Sequence, residues 1–219
     1  MKLNKRKTAL LTGWSLITMA LVAIFSIGYA LPEFDLGEGV KLIDTAINAK
    51  SSLYLFMLIG FFIILILDVI VAILLYQFFK EDHLNISRMA GILRLVYTAI
   101  FAVAIYFLAE IYLASQVSSE SIQSNFNLFH SVWNMGLIIF GIHVVLLGLL
   151  MKMHSMKPNI LWYITLVAGI SYVVLSALKL TIPNTKIVDI LQMILSLPMT
   201  IGEIGLAIWL IIKGGKVKY

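Results

Sequence analysis

Hydrophobic residues fall in six long runs separated by short polar stretches. The runs cover about 9–31, 53–79, 89–113, 132–151, 160–178 and 191–212. Each run is near or above the roughly 20 residues that an α-helix needs to cross about 30 Å of hydrocarbon. Because hydrocarbon offers backbone groups no hydrogen bonds, the runs predict helices rather than strands. We therefore expect an all-α, polytopic membrane helical bundle of six transmembrane helices, with residues 1–219 forming a single membrane domain.

Composition supports this prediction. Hydrophobic residues make up 61% of the chain and charged residues 12%, against about 25% charged in an average soluble domain. The absence of cysteine excludes disulfides, a thiolate nucleophile and a Cys-ligated metal. The first run follows a basic stretch, as in a signal peptide, but it exceeds the roughly 7–15 apolar residues of a signal sequence, so an uncleaved anchor is expected.

The distribution of lysine and arginine predicts the orientation. The N-terminus, the turns 80–88 and 152–159 and the C-terminal tail hold eleven basic residues: Lys2, Lys5, Arg6, Lys7, Lys80, Arg88, Lys152, Lys157, Lys213, Lys216 and Lys218. The opposite connections hold four: Lys41, Lys50, Lys179 and Lys186. The excess predicts that both termini lie in the cytoplasm.

The net charge of +5 is then explained by the basic segments that set the topology and by their attraction to anionic lipid headgroups. No folded basic face is available for nucleic acid. In the outer connection 32–52, Leu36, Val40, Ile43 and Ile47 recur at helical spacing. Both a short interfacial helix and a partly ordered loop fit that spacing.

Four ionisable residues lie inside the predicted spans: Asp68, Arg94, His143 and Glu203. Each costs at least about 2.5–3.5 kcal/mol to insert unless it is compensated. Helical rise places all four between about 9 and about 16 Å from the cytoplasmic ends of their spans. Four helices thus contribute to one polar layer in the cytoplasmic half of the membrane.

Three interpretations of this layer are open. The groups can neutralise one another, with an Asp68–Arg94 ion pair across a short hairpin and Glu203 bound to His143 or Arg94. They can line a site for a ligand, proton or ion, or face a partner in the lipid. Glu110 lies near the outer end of its span and is interpreted as a rim carboxylate.

Other chemistries lack the residues they need. His130 and His143 lie on one predicted helix, and His83 and His154 lie in turns, which disfavours a haem with ligands from two helices. One histidine and two carboxylates are a thin basis for a zinc site. No phosphate loop or nucleophile triad is evident. We therefore assign no cofactor, no metal and no catalytic residue.

Four segments are characteristic: RMAGILRLVY at 88–97, FGIHVVLLGLL at 140–150, VAGISY at 167–172 and LPMTIGEIGLAIWLIIKG at 197–214. With them, nearly the whole chain resembles a bacterial six-helix family catalogued as domain of unknown function 4386. The resemblance implies a fold and a multi-pass location in a bacterial plasma membrane, but no activity. Arg94, His143 and Glu203 fall in these segments and Asp68 does not. Tyr97 and Trp209, which also fall in them, are secondary candidates.

The function expected from these residues is non-enzymatic binding or translocation of a small ligand, lipid or proton through the polar layer. A structural or accessory membrane subunit is the alternative. A second alternative is an intramembrane lipid-modifying enzyme that uses Glu203 and His143 as acid and base. The expected partners are membrane lipids, a small-molecule or lipid ligand, and a second copy of the chain or another membrane protein.

Overall fold

The computed structural model describes residues 4–35, 47, 49–113, 118–183 and 185–216, and helices account for nearly all of them. The helices are α1 (Lys5–Ala23), α2 (Ser51–Phe79), α3 (Leu84–Leu113), α4 (Ser119–Met153), α5 (Ile160–Thr181) and α6 (Lys186–Ile212). The axis of α1 continues through a π-helix, Ile24–Ala30, and a 3₁₀ turn, Leu31–Glu33. The described ranges contain no strand, and six helical segments are long and apolar enough to cross a membrane. The all-α, six-helix prediction is confirmed.

The fourth helix is much longer than the hydrophobic run at 132–151. It begins at Ser119, in the polar stretch between the third and fourth hydrophobic runs. The Ser118 hydroxyl accepts from the backbone N–H of Ser121 and so caps the helix. Ile122, Phe126 and Phe129 then recur at helical spacing and are fully buried, so packing holds this polar extension in place. The helix considered around Leu36, Val40 and Ile43 lies outside the described residues.

The six helices form a closed ring. Each packs against the next in the chain, and α6 packs against α1. Glycine permits close contact at two seams. A Cβ on Gly141 would lie 2.7 Å from the Gly169 carbonyl oxygen, and one on Gly13 would lie 2.8 Å from that of Ala207. Small residues at such seams let helices gain van der Waals contact where lipid supplies no hydrophobic driving force.

Both termini meet at one end of the ring, here named the terminal face. The Arg6 guanidinium donates to the carbonyl oxygens of Leu210, Ile211 and Gly214 at 3.1, 2.6 and 2.8 Å. These carbonyls belong to the last turn of α6 and to the residues just after it, and that of Leu210 also accepts from the Gly214 N–H. Nearby, Asp82 lies 3.5 Å from the Lys5 ammonium. The described parts of the four basic segments therefore share one face, as the predicted topology requires.

Candidate functional site

The centre of the polar layer is an ion pair between α2 and α3. The Nη2 of Arg94 donates to the Oδ1 of Asp68 across 2.6 Å. The two side chains are each only 2% exposed. Because α2 and α3 are joined by a short turn, the hairpin brings the two side chains to the same depth. The ion pair considered from the sequence is present.

His143 extends this network to α4. Its Nδ1 lies 2.8 Å from the Ala90 carbonyl oxygen, and its Nε2 lies 3.3 Å from the Nη1 of Arg94. A carbonyl can only accept and a guanidinium can only donate. The contacts therefore fix the neutral tautomer, with the proton on Nδ1 and Nε2 as acceptor. Asp68, Arg94 and His143 are named the arginine network below.

Arg94 also reaches two further side chains. Its Nη2 lies 3.7 Å from the sulfur of Met19 in α1, and its guanidinium carbon lies 5.3 Å from the centre of the Phe140 ring. The network thus ties α1, α2 and α4 to α3. Such extensive contact suits a group that holds helices in register.

Glu203 lies apart from the arginine network. Its Oε1 accepts from the Tyr172 hydroxyl at 2.6 Å, and the carboxylate is half-buried. Pairing with His143 does not occur, because both ring nitrogens of that histidine already have partners. The hydrogen bond from Tyr172 is the one that Glu203 makes within the described residues. The polar layer therefore divides into the arginine network and a separate Glu203–Tyr172 pair.

A cavity of about 290 Å³ adjoins both parts of the layer. All six helices contribute to its wall. It follows α5 from Tyr172 to Lys179 and α6 from Glu203 to Gln192. Both directions lead away from the terminal face, so the cavity begins at the polar layer and extends toward the opposite end of the bundle.

Two irregular helical segments border the cavity. Ile27 belongs to the π-helix that continues α1; π-helical turns are frequent at functional sites. In α6, Pro198 removes one backbone hydrogen bond inside the helix. In α6, which is described throughout, one residue is buried before this proline, Val188. Four are buried after it: Gly202, Leu206, Ala207 and Leu210. The half of α6 beside the cavity is thus loosely packed.

Aromatic rings form a continuous wall along the cavity. Tyr172 and Phe140 have ring centres 5.0 Å apart, and Phe140 and Tyr97 have centres 4.7 Å apart. The series continues to Phe101 at 5.8 Å and then to Trp133 at 5.7 Å. All five residues line the cavity. We name them the aromatic wall.

Comparison with known proteins identifies the family. The sequence model described as "Domain of unknown function (DUF4386)" matches residues 11–214. The chain belongs to the DUF4386 family. A relative from Archaeoglobus fulgidus, described as an "Uncharacterized protein", is 30% identical over 171 residues, covering 78% of this chain and 90% of the relative. No solved structure matches.

The DUF4386 match includes the arginine network, Glu203 and every residue that lines the cavity. The resemblance drawn from the four segments is therefore confirmed, and it extends to Asp68, which lies in none of them.

The secondary candidates occupy three different environments. Tyr97 belongs to the aromatic wall. Glu110 is exposed near the end of α3 that lies away from the terminal face. Trp209 donates its indole N–H to the Lys157 carbonyl at 3.0 Å, close to the terminal face and outside the cavity wall. No group of three or more His, Asp or Glu able to hold a metal occurs in the described part of the chain.

Of the five rings in the aromatic wall, sequence reasoning singled out Tyr97 and missed Tyr172, Phe140, Phe101 and Trp133. Tyr172 lies one turn after Ala168 and Gly169, and small residues of this kind mark close helix contact. That signal places Tyr172 on a packed face of α5. It does not reveal which carboxylate lies opposite.

Proposed function

We propose that this DUF4386 protein binds a small ligand in the cavity beside Glu203 and does so without catalysing a reaction. The supporting observation is a cavity that reaches a carboxylate whose hydrogen bond, within the described residues, comes from Tyr172 alone. A carboxylate at membrane depth is costly unless it is compensated. A ligand at this position would complete the interactions of Glu203.

The arginine network serves this function as a scaffold. Arg94 on α3 contacts groups from α1, α2 and α4, so it fixes α3 and α4, which carry four of the five rings of the aromatic wall. Transport of the ligand or of a proton is the wider form of the proposal. The π-helix and Pro198 support it, because both weaken regular helical hydrogen bonding next to the cavity.

As part of the same proposal, we place the protein in a bacterial plasma membrane with both termini in the cytoplasm. The support is the excess of basic residues in four segments whose described parts meet at the terminal face. In this orientation the cavity extends from the polar layer toward the outer surface.

Native mass spectrometry from mild detergent tests ligand binding. We expect the wild-type protein to retain a small ligand or lipid that Glu203→Gln retains several-fold less. Glu110→Gln is the matched control, because it makes the same chemical change at an exposed carboxylate outside the cavity. The control should bind as the wild type does.

Two results would contradict the proposal. One is a wild-type protein that retains nothing; the other is unchanged binding in both Glu203→Gln and Arg94→Leu. Stable co-purification of a second protein with an empty bundle would favour the accessory-subunit alternative. Conversion of an added lipid by the pure protein would favour the enzyme alternative.

A further inference from the structure

The charges around the cavity are not balanced. The polar layer holds two carboxylates, Asp68 and Glu203, against one guanidinium, and His143 is held in its neutral tautomer. The Nη groups of Arg94 are directed to Asp68, His143 and Met19 and not to Glu203. With both carboxylates ionised, the layer carries one formal negative charge, and Glu203 lies at the end of the cavity.

Lys179 does not correct this imbalance. It borders the cavity seven residues beyond Tyr172 on α5, about 10 Å along the helix axis. The hydrogen bond that Glu203 makes within the described residues comes from Tyr172, so neither Lys179 nor Arg94 is its ion-pair partner there.

The aromatic wall also favours a positively charged ligand. The face of an aromatic ring is negative and attracts cations within about 6 Å of its centre. The wall already does so for one internal cation, since the Arg94 guanidinium lies 5.3 Å from the Phe140 ring. Tyr172 joins the wall to the carboxylate, because its ring contacts Phe140 and its hydroxyl donates to Glu203.

We propose that the ligand is a small organic cation, whose ammonium group binds between Glu203 and the aromatic wall. This inference rests on the proposed binding function and adds the ligand's class. The cavity volume of about 290 Å³ is at the lower limit of the roughly 300–1,000 Å³ typical of ligand pockets, which suits a compact ammonium compound. An anion bound beside the aromatic wall would meet the Glu203 carboxylate at close range and be repelled by it.

Three probes of nearly the same shape test the charge preference: choline, its neutral isostere 3,3-dimethylbutan-1-ol, and the anion 3,3-dimethylbutanoate. Each is titrated into the full-length protein in nanodiscs of phosphatidylglycerol, and binding is followed by calorimetry. We expect choline to bind at least about tenfold more tightly than the alcohol, as cation–π and charge contacts predict. The carboxylate should bind more weakly still.

Variants of the protein test whether Glu203 produces the preference for choline. Glu203→Gln should remove most of the preference for choline over the alcohol, and Glu110→Gln should leave it intact. If Glu203→Gln does not fold, Tyr172→Phe provides a second test, because it keeps the ring and removes the hydroxyl that orients the carboxylate. Tyr172→Phe should lower choline affinity several-fold.

Failure of the inference differs from failure of the proposed function. Equal binding of choline and the alcohol, or stronger binding of the anion, overturns the cation class while ligand binding stands. A preference for choline that survives in Glu203→Gln overturns the assignment to this carboxylate. No binding of any probe, with no retained ligand in native mass spectrometry, overturns both.

Discussion

At the residue scale, Arg94 is the most heavily committed side chain of the bundle. It is almost wholly buried, yet it bonds to a carboxylate, a histidine and a methionine on three other helices. Burying an ion pair desolvates both charges, and the pair rarely adds net stability over an apolar substitute. Removing one member of the pair is strongly destabilising, because the other charge is then buried without compensation.

A double-mutant cycle tests this asymmetry. Arg94→Leu alone should lower the free energy of unfolding by about 3–5 kcal/mol, because Asp68 is then left uncompensated. Asp68→Leu alone should lower it by a similar amount. The double variant should be more stable than either single variant. Unfolding by sodium dodecyl sulfate in mixed micelles gives the three values, and simple additivity of the two effects would contradict the network described here.

Glu203 and Asp68 show how two acidic residues at nearly the same depth can have different surroundings. Asp68 has a cation at 2.6 Å, whereas Glu203 has a tyrosine hydroxyl and an adjoining cavity. The first is expected to matter mainly for stability and the second mainly for binding. Measuring both properties in Asp68→Leu and Glu203→Gln separates the two roles.

At the element scale, the π-helix after α1 is fixed by unusually close contact with α2. Ser26 is fully buried in the π-helix. Its hydroxyl oxygen lies within 1.9 Å of where a Cβ on Gly60 would stand. A methyl group at position 60 would therefore displace the Ser26 hydroxyl, and the Cβ of Ser26 at 3.2 Å and the Cγ1 of Val22 at 3.3 Å leave it little room.

Gly60→Ala should consequently destabilise the protein by about 1–3 kcal/mol, the usual cost of overpacking, and should weaken ligand retention. Gly91→Ala is the matched control. Its added methyl would meet ordinary contacts at 3.5 Å from Tyr76 and 3.6 Å from Ala72, and alanine favours helix over glycine by about 1 kcal/mol. Thermal unfolding in detergent compares the two. Equal melting temperatures would show that the contact with Ser26 relaxes freely.

At the scale of the whole molecule, the ring of helices and the terminal face connect topology to function. Arg6 binds carbonyl oxygens near the end of α6, so the first and last helices are joined at the terminal face. At the other end the cavity separates α6 from the π-helix. The ring is therefore tied at one end and loosely packed at the other, which is the asymmetry that entry of a ligand from one side requires.

The proposed orientation can be tested directly, because the chain has no cysteine. A membrane-impermeant maleimide should label Glu120→Cys in intact cells and Lys213→Cys only after permeabilisation. Both positions are exposed, so access to the thiol depends on the side of the membrane alone. The reverse pattern would contradict cytoplasmic termini.

The sequence by itself determined the class of fold and the number of spans. Each span is decided locally, because any stretch of about 20 apolar residues must satisfy its own backbone in hydrocarbon. The cost of inserting an ionisable side chain into the membrane likewise identifies four candidate site residues without any knowledge of their neighbours. They are Asp68, Arg94, His143 and Glu203. The helical extension of α4 was missed, because its polar residues hide an apolar stripe that matters only once the bundle is there to bury it.

Only the tertiary structure decided which polar groups meet. Four side chains at a similar depth can pair in several ways, and the choice depends on how each helix is rotated about its axis. That rotation follows from contacts distant in sequence, such as Gly141 against Gly169 and Gly13 against Ala207. The ring that results pairs Arg94 with Asp68 and leaves Glu203 beside a cavity, because packing between helices, unlike insertion of a single helix, is not a local property of the chain.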